Sequence, residues 1–308
     1  MSDRFTVGLV GARGHTGGEI VRLIEAHPSL DLVFAGSREL AGQPVPGLDD
    51  LRFEPIGPEE LSIRKCDVVI LALPDGAGDA FVESVDERTV IVDISADHRF
   101  DSDWAYGLPE LQRDSLKGAT RIANPGCYAT TMQLALAPLV DLTSGVPAVF
   151  GVSGYSGAGG TPGPRNDIER LRDNLLPYKL VGHNHEREAV RHLGIPVRFM
   201  PHVHQAFRGL IVTAHVPLAQ AITTEEVEAR FDKWFGSEPL IEITDNIPEL
   251  RDGTGRLGVL VGGFETSGDG LNAVVVAALD NLLKGAAVQA IQNVNLALGL
   301  AEFEGILT

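Results

Sequence analysis

The first part of the chain alternates short runs of β-branched and aliphatic residues with segments whose apolar residues recur at helical spacing. The apolar runs predict strands at residues 6–10, 32–35, 68–72 and 90–94. Between the first two runs, Ile20, Leu23 and Ile24 mark the buried face of a helix. This alternation predicts a doubly wound, mostly parallel α/β sheet with helices on both faces.

The pattern changes after about residue 146, where apolar stretches follow one another with fewer helical segments between them. These stretches predict strands at residues 149–152, 197–200, 210–216, 241–244, 257–263 and 272–278. They indicate a second, α+β domain on a mixed or antiparallel sheet. The end of the chain returns to helical spacing, with an apolar stripe from Leu282 to Leu298. We therefore expect one domain from residues 1–126 plus 280–308 and another from residues 127–279.

One of only two cysteines, Cys127, stands where these two parts meet. It follows a turn-forming Asn124-Pro125-Gly126 sequence and precedes an apolar segment, 128–139, that predicts a buried helix. Unpaired backbone N–H groups at a helix start stabilise a thiolate and lower the pKa of the thiol. Two interpretations follow, a reactive thiolate or a small buried apolar residue. The other cysteine, Cys66, has no such setting and is expected to be structural.

Composition and charge exclude several classes of protein. The formal net charge is −17, from 25 basic and 42 acidic residues, which argues against a nucleic-acid or anionic-membrane surface because either needs a basic patch. Phosphorylated small molecules need only one or two well-placed donors and stay possible. The chain enters its first predicted strand within a few residues, so we expect no signal peptide, a cytoplasmic location and reduced thiols.

A glycine-rich loop follows the first predicted strand and opens the first predicted helix. Its G-x-x-G-x-x-G spacing lets the backbone approach a pyrophosphate, while the helix N-terminus supplies donors and positive potential. This setting predicts a Rossmann-type dinucleotide site. The expected cofactor-binding residues of the loop are Gly11, Arg13, Gly14, His15, Thr16 and Gly17.

The end of the second predicted strand favours NADP. Where an NAD site normally has an acidic residue, the chain has Ser37 and Arg38, which suit a 2′-phosphate; Glu39 follows and keeps NAD open. A doubly wound sheet opens its ligand crevice at the ends of its strands. The later strand ends of this domain therefore add three cofactor-binding candidates, Leu73, Pro74 and Ser95.

Taken together, these segments resemble the family of N-acetyl-γ-glutamyl-phosphate reductases, relatives of aspartate-semialdehyde dehydrogenase. The matching stretches run nearly end to end, and the order of three of them is specific. They are the Cys127 pentapeptide, the serine-glycine loop 153–159 and the histidine segment 183–188. The family commonly has proline at the position of Arg187, so the substrate pocket is expected to differ there.

The resemblance implies NADPH-dependent reduction of an acyl phosphate through a thioester on Cys127. It implies that His183 is the acid/base group and His185 its neighbour, although the sequence alone does not decide between them. Arg99 is expected to bind the phosphate group of the substrate through the paired N–H donors of its guanidinium. The other substrate-binding residues implied are Asn124, Ser153 and Glu188, and the other cofactor-binding residues are Ser156, Gly157 and Asn281.

Other interpretations stay open. Two H-x-H pairs, His183/His185 and His202/His204, suggest a metallohydrolase with four histidine ligands, although the resemblance implies no metal. A catalytically silent NADP-binding protein is a second alternative. The related N-acetyl-aminoadipyl-phosphate reductase of lysine synthesis differs by one methylene in its substrate, which a pocket distinguishes by only about 1–3 kcal/mol.

The second domain carries the expectation of an oligomer. It has several predicted strands and few helices to cover them, so its sheet is expected to pair with another copy of the chain. We therefore expect a homodimer or homotetramer that acts on a small-molecule acyl phosphate, with no nucleic-acid or membrane partner.

Overall fold

The computed structural model describes residues 4–307 and divides them into two compact units. Unit 1 comprises the described residues up to Gly126 and those from Ala286 onward, and unit 2 comprises Cys127–Gly285. From the sequence, the chain was expected to return to the first domain at residue 280, whereas in the structure unit 1 resumes at Ala286. Within residues 4–307, no helix is both long enough and apolar enough to span a bilayer.

The first stretch of unit 1 contains eight strands and four helices. The strands are β1 (Phe5–Val10), β2 (Leu30–Gly36), β3 (Pro44–Val45), β4 (Leu48–Glu54), β5 (Val68–Leu71), β6 (Val90–Asp93), β7 (Ala105–Tyr106) and β8 (Arg121–Ala123). The helices are α1 (His15–Ala26), α2 (Pro58–Ser62), α3 (Asp79–Ser84) and α4 (Pro109–Leu116). The sheet order is β3-β4-β2-β1-β5-β6-β8-β7, and every pair is parallel except β3 with β4.

Unit 2 contains seven strands and five helices. The helices are α5 (Cys127–Leu136), α6 (Ile168–Leu171), α7 (Asn184–Leu193), α8 (Thr224–Phe235) and α9 (Leu250–Gly253). The strands are β9 (Ala148–Gly154), β10 (Leu175–Pro177), β11 (Arg198–His204), β12 (Leu210–Pro217), β13 (Ile241–Ile243), β14 (Val259–Thr266) and β15 (Asn272–Leu279). Their order is β10-β11-β9-β12-β15-β14-β13. This sheet is mixed, because β9/β11 and β13/β14 are parallel and the other pairs antiparallel.

Both predicted fold classes are therefore confirmed. The chain returns to unit 1 with α10 (Val288–Leu298), which packs against α1 and α4. The predicted final helix begins later than expected, because Leu283–Ala287 forms a π-helical turn first. The predicted helix after Cys127 also ends early, at Leu136, and a 3₁₀ segment that includes Pro138 follows it.

Helix α5 forms the centre of unit 2. Every residue from Tyr128 to Leu136 is buried, including the polar Thr130, Thr131 and Gln133. The helix packs against β12, β15 and α7. Its first residue, Cys127, is thereby held on a rigid element.

Candidate active site

Cys127 is the first residue of α5 and the only residue of that helix that is partly exposed. Its carbonyl oxygen accepts a hydrogen bond from the Thr131 hydroxyl at 2.8 Å, one turn along. The position at the helix N-terminus gives the sulfur the positive potential that favours a thiolate. Cys66 differs, because burial and then Asp67 raise the pKa of its thiol to about 11.

Gly285 lies directly against Cys127. A Cβ atom built on Gly285 would lie 2.7 Å from the Cβ of Cys127 and 3.2 Å from the carbonyl oxygen of Asp280. A carbon–carbon approach under 3.0 Å is not seen between real Cβ atoms. Cys127 can therefore take its observed place only because residue 285 has no side chain.

This contact predicts the effect of Gly285→Ala. The added methyl group must displace Cys127, and a shift of about 1 Å at a reacting group costs about 100-fold in rate. We expect kcat of the reductase assay described below to fall about 10- to 100-fold while the fold is kept. Gly268→Ala is the control, since nothing lies within 4 Å of a Cβ there. Equal kcat values for the two variants would contradict this account of the contact.

The two candidate histidines lie at the start of α7. His183 is the N-cap residue, and its Nδ1 accepts the backbone N–H of His185 at 3.1 Å. A neutral His183 ring therefore carries its proton on Nε2. The two imidazole rings are 4.7 Å apart between centroids. The pair forms a compact unit held by the helix start.

An aromatic cluster joins the histidines to the region of Cys127. The Tyr128 ring lies 6.1 Å from the His185 ring, and the Tyr178 ring lies 5.5 Å from the His183 ring. Burial, and then charge on Cys127, raise the pKa of Tyr178 above its ordinary value. An electrostatic effect of this kind requires Cys127 and Tyr178 to be near each other. Tyr128, which follows Cys127 in the chain, and Tyr178 thus both lie near the histidine pair.

The surroundings of His183 bear on the acid/base role that the resemblance implied for it. The residue is only 7% exposed. Burial first, then the positive charges of His185 and Lys179, lower its pKa to about 3. At neutral pH His183 is therefore an uncharged ring whose Nδ1 is already engaged. His185 is less buried than His183.

The lowered pKa predicts how stability depends on pH. Between about pH 3 and pH 6.5 the unfolded chain binds a proton at His183 that the folded chain does not, so the free energy of unfolding falls as pH falls through this range. One such proton is worth about 1.4 kcal/mol per pH unit. We expect His183→Asn, which keeps an N-cap acceptor, to show a shallower slope in urea unfolding from pH 4 to 7. His215→Asn, at an exposed position, should keep the wild-type slope; an unchanged slope in His183→Asn would refute the assignment.

Two cations near the histidines were missed by sequence reasoning. Arg165 lies with its guanidinium carbon 4.9 Å from the centre of the Tyr178 ring, and both Arg165 and Lys179 contribute to lowering the pKa of His183. The only sequence signal near Arg165 is the glycine- and proline-rich stretch at residues 151–164, which is too long for a simple turn. The surroundings of the histidines therefore suit an anionic ligand.

Four of the predicted site residues of unit 2 are buried, namely Ser153, Ser156, Glu188 and Asn281. The Ser153 side chain is hydrogen-bonded to Tyr128, and Glu188 is fully buried on α7, where its charge opposes the lowering of the His183 pKa. The Asn281 amide donates to the Ser156 hydroxyl at 2.9 Å. Gly157 lies beside Asn281 and Ser153, since a Cβ there would be 3.7 Å from the side-chain amide of Asn281 and 3.7 Å from the hydroxyl of Ser153. The structure thus brings the four predicted residues 153, 156, 157 and 281 together.

The four-histidine metal site is wrong for this fold. The His183 ring packs 5.4 Å from Phe199, whereas the His202 ring packs 4.4 Å from Phe150. Phe199 and His202 are three residues apart on β11 and therefore face opposite sides of the sheet. Among residues 4–307, no group of three or more histidine, cysteine, aspartate or glutamate side chains is arranged to hold a metal ion.

In unit 1, the glycine loop lies between β1 and α1 as predicted. Gly11 has φ +86°, and a Cβ there would lie 2.2 Å from the carbonyl oxygen of Ala72. A Cβ at Gly17 would lie 2.7 Å from two backbone oxygens of the loop. Gly14 is the N-cap of α1, where no side chain caps the helix. The loop therefore offers backbone and helix N-terminal donors without side chains in the way, which fits a pyrophosphate.

The end of β2 meets this loop, because the N–H groups of Gly11 and Ala12 donate to the carbonyl oxygen of Gly36. Ser37 is buried and accepts the N–H of Leu40, whereas Arg38 is exposed. The carboxylate of Glu39, which kept NAD open, pairs with Arg13. The exposed group at this strand end that suits a phosphate is thus Arg38.

The next two strand ends differ in what they offer. Leu73 is partly buried and Pro74 exposed, and the Leu73 N–H lies 3.4 Å from the Cβ position of Gly11. The Ser95 hydroxyl donates to buried Asp93 at 2.7 Å. Leu73 therefore borders the glycine loop, whereas the Ser95 hydroxyl is bonded to the last residue of β6.

Arg99 and Asn124 are both buried in unit 1. The Arg99 guanidinium donates to the carbonyl oxygens of Asn124 and Ile94 at 2.9 and 2.7 Å. The Asn124 amide donates to Ala286 at 3.3 Å and accepts from Asn293 at 3.0 Å. These bonds fix Arg99 rigidly and give Asn124 a role in packing α10 that its sequence motif did not indicate.

Comparison with known proteins agrees with both units. Residues 6–119 match the family model described as semialdehyde dehydrogenase, NAD binding domain, and residues 127–281 match semialdehyde dehydrogenase, dimerisation domain. Solved structures of the same fold include aspartate semialdehyde dehydrogenase II complexed with ASA from Vibrio cholerae, with TM-score 0.79, 21% identity, and coverage of 97% of this chain and 99% of that one. Aspartate semialdehyde dehydrogenase with NADP from Candida albicans has TM-score 0.71 and 19% identity over 96% and 99% of the chains. Fold, cysteine-bearing helix and family models together define a semialdehyde dehydrogenase.

Curated relatives narrow this class. N-acetyl-gamma-glutamyl-phosphate reductase of Xanthomonas axonopodis pv. citri (strain 306) is 52% identical over 309 aligned residues, which cover 98% of each chain. The enzyme of the same name from Stenotrophomonas maltophilia (strain R551-3) is 51% identical over 98% of each chain. The chain belongs to the N-acetyl-gamma-glutamyl-phosphate reductase family.

Proposed function

We propose that the protein reduces N-acetyl-γ-glutamyl phosphate with NADPH to N-acetyl-glutamate semialdehyde and phosphate, a step of arginine biosynthesis. The observation that carries the proposal is a partly exposed cysteine at a helix N-terminus in the same unit as a histidine pair. The relatives named above supply the substrate. The fit of the glycine loop to a dinucleotide supplies the redox partner.

The first chemical step belongs to Cys127. Its thiolate attacks the acyl carbon, the bond from that carbon to the phosphate oxygen breaks, and phosphate leaves with the electron pair. A thioester remains on the sulfur. NADPH, when bound, supplies the hydride that reduces this thioester.

His185 is the proposed acid/base group. As the imidazolium it stabilises the Cys127 thiolate and donates a proton to the oxygen of the thiohemiacetal formed by reduction. As the imidazole it takes that proton back while the carbon–sulfur bond breaks and the semialdehyde leaves. The neutral His183 ring orients His185 through the helix start that both residues share.

The remaining site residues have supporting roles in this proposal. Arg99 remains the proposed phosphate-binding residue, because its buried guanidinium is held in one orientation. Ser153, Glu188 and Asn124 hold their neighbours in place. Arg165 is added as a residue that attracts the anionic substrate.

Arg38 is the proposed ligand of the 2′-phosphate of NADP. A hydrogen bond to a charged group contributes about 1.5–3 kcal/mol, or about 10- to 100-fold in affinity. We therefore expect Arg38→Gln to raise the KM for NADPH by about that factor and to change the KM for NADH less than about twofold. Arg22→Gln, which removes an exposed arginine of α1, should change neither. A parallel loss with both cofactors would contradict the role.

We further propose a cytoplasmic homodimer or homotetramer. The sheet face that bears Phe150 supports this, since Phe150 is 39% exposed there and its ring lies 4.4 Å from that of His202. The description of the matching model as a dimerisation domain points the same way. Light scattering of the purified protein distinguishes the two copy numbers.

A reverse-direction assay tests the proposed function. The protein is mixed with N-acetyl-glutamate semialdehyde and NADP, with and without phosphate. We expect NADPH to accumulate over many turnovers only when phosphate is present. N-acetyl-aminoadipate semialdehyde, one methylene longer, is the matched control, and faster turnover with it would assign the chain to the lysine-type reaction instead.

A further inference from the structure

The turn that carries Gly285 is an unusual one. After β15 the chain passes through Asp280 into the π-helical segment Leu283–Ala287. Single π-helical turns inside helical segments occur frequently at functional sites. This turn contains the glycine that lies against Cys127, so whatever fixes the turn also fixes the space that Cys127 occupies.

Asp280 closes this turn with its side chain and its backbone. The residue is fully buried. One carboxylate oxygen accepts the N–H groups of Leu282 and Leu283 at 2.9 and 3.3 Å, and the other accepts the N–H of Gly255 at 2.7 Å. The Asp280 carbonyl oxygen accepts the N–H of Gly285 at 3.0 Å. Asp280 is therefore bonded to the glycine that contacts Cys127.

Arg208 supplies the countercharge. Its Nε lies 3.2 Å from the carboxylate of Asp280, and a buried carboxylate requires such a partner because burial in low dielectric penalises an isolated charge. The neighbouring Phe207 and Gly209 are tied to the same region, since the N–H of Ser156 donates to Phe207 and that of Gly209 donates to Asn281. The ion pair thus anchors the turn to the serine-glycine loop.

We propose that Asp280 is a positioning residue for Cys127, which it holds in place through the backbone of Gly285, with Arg208 as its countercharge. Asp280 touches neither the sulfur nor a substrate in this role. The kinetic part of the proposal rests on the proposed function, whereas the geometric part concerns only the thiol.

The test uses Asp280→Asn, which keeps the shape of the side chain but replaces one acceptor oxygen with a donor that faces backbone N–H groups. Asp269→Asn is the matched control, because Asp269, like Asp280, accepts a backbone N–H through its carboxylate but lies in an exposed turn. We expect kcat to fall about 10- to 100-fold in Asp280→Asn with KM values changed less than about threefold. Asp269→Asn should behave as wild type.

A second readout needs no substrate. In a Cys66→Ala background, iodoacetamide reports on Cys127 alone. We expect Asp280→Asn to shift the midpoint of the pH dependence of alkylation by at least about half a pH unit, because the sulfur moves relative to the helix N-terminus. Arg208→Gln should shift this midpoint in the same direction, and it replaces Asp280→Asn in the test if Asp280→Asn does not fold. A wild-type alkylation profile in the folded variant overturns the proposal.

A double variant tests the route through Gly285. If Asp280 acts through that glycine, Asp280→Asn should lower kcat less than about twofold further in the Gly285→Ala background. Fully multiplicative losses would refute this route. If the wild-type protein lacked reductase activity, the proposed function would fail, while the alkylation profiles would still decide the positioning role.

Discussion

Replacement of Cys127 by alanine is expected to remove at least about 10⁴-fold of kcat, because no second group of the described chain is proposed to form the acyl intermediate. Cys127→Ser should be similarly impaired, since a serine hydroxyl is far less acidic than a thiol. The measurement is the phosphate-dependent production of NADPH from N-acetyl-glutamate semialdehyde.

Cys66 provides the control for this experiment. It is the other cysteine of the chain, and burial raises its pKa to about 11, so its thiol stays protonated near neutral pH. Cys66→Ala should keep kcat within about twofold of the wild type. More than about 1% of the wild-type activity in Cys127→Ala would rule out the covalent mechanism.

The second large effect is expected at His185. General acid/base catalysis contributes about 10²- to 10⁴-fold, so His185→Asn should lower kcat by a factor in this range. His183→Asn keeps the N-cap acceptor and should lower kcat less than about tenfold. The ratio of the two losses measures which histidine transfers the proton.

The pH dependence of kcat/KM distinguishes the two histidines further. The limb that reports the acid/base group should disappear in His185→Asn and persist in His183→Asn. The opposite order, with the larger loss and the missing limb at residue 183, would restore the preference drawn from the sequence.

The elements around the site could be predicted from the sequence where the pattern is local. The glycine loop lies between β1 and α1 because a strand, three spaced glycines and a helix follow one another in the chain. The start of α5 at Cys127 follows equally from turn residues before an apolar segment. Two strands of this sheet were missed for different reasons. Strand β7 has only two residues, and β4 begins with Leu-Asp-Asp-Leu, where two adjacent acidic residues break the apolar alternation.

The choice between the histidines could not be made from the sequence, because it depends on burial. His183 and His185 are the same type of residue and stand two positions apart, so the sequence cannot distinguish them. In the structure, burial lowers the pKa of His183 to about 3. The contacts of Asn124 could not be predicted either. Its motif suggested a substrate-binding residue, whereas in the structure its side-chain amide is hydrogen-bonded to Asn293. The contact of Asn124 joins residues 169 positions apart in the chain.

The approach of Gly285 to Cys127 joins residues 158 positions apart, and no local pattern announces it. The glycine itself gave no signal, because it stands inside an apolar helical stripe where a glycine is usually only tolerated. Its meaning appears once the turn after β15 brings its backbone to the start of α5.

The central claim is that the acyl group is carried on the sulfur of Cys127, and mass spectrometry of the quenched enzyme tests it most directly. The protein is incubated with N-acetyl-glutamate semialdehyde and NADP without phosphate, quenched in acid and digested. We predict an N-acetyl-glutamyl group on the peptide containing Cys127, released when phosphate is added before the quench. Turnover with phosphate but no acyl group on that peptide, or one on Cys66 instead, would contradict the account.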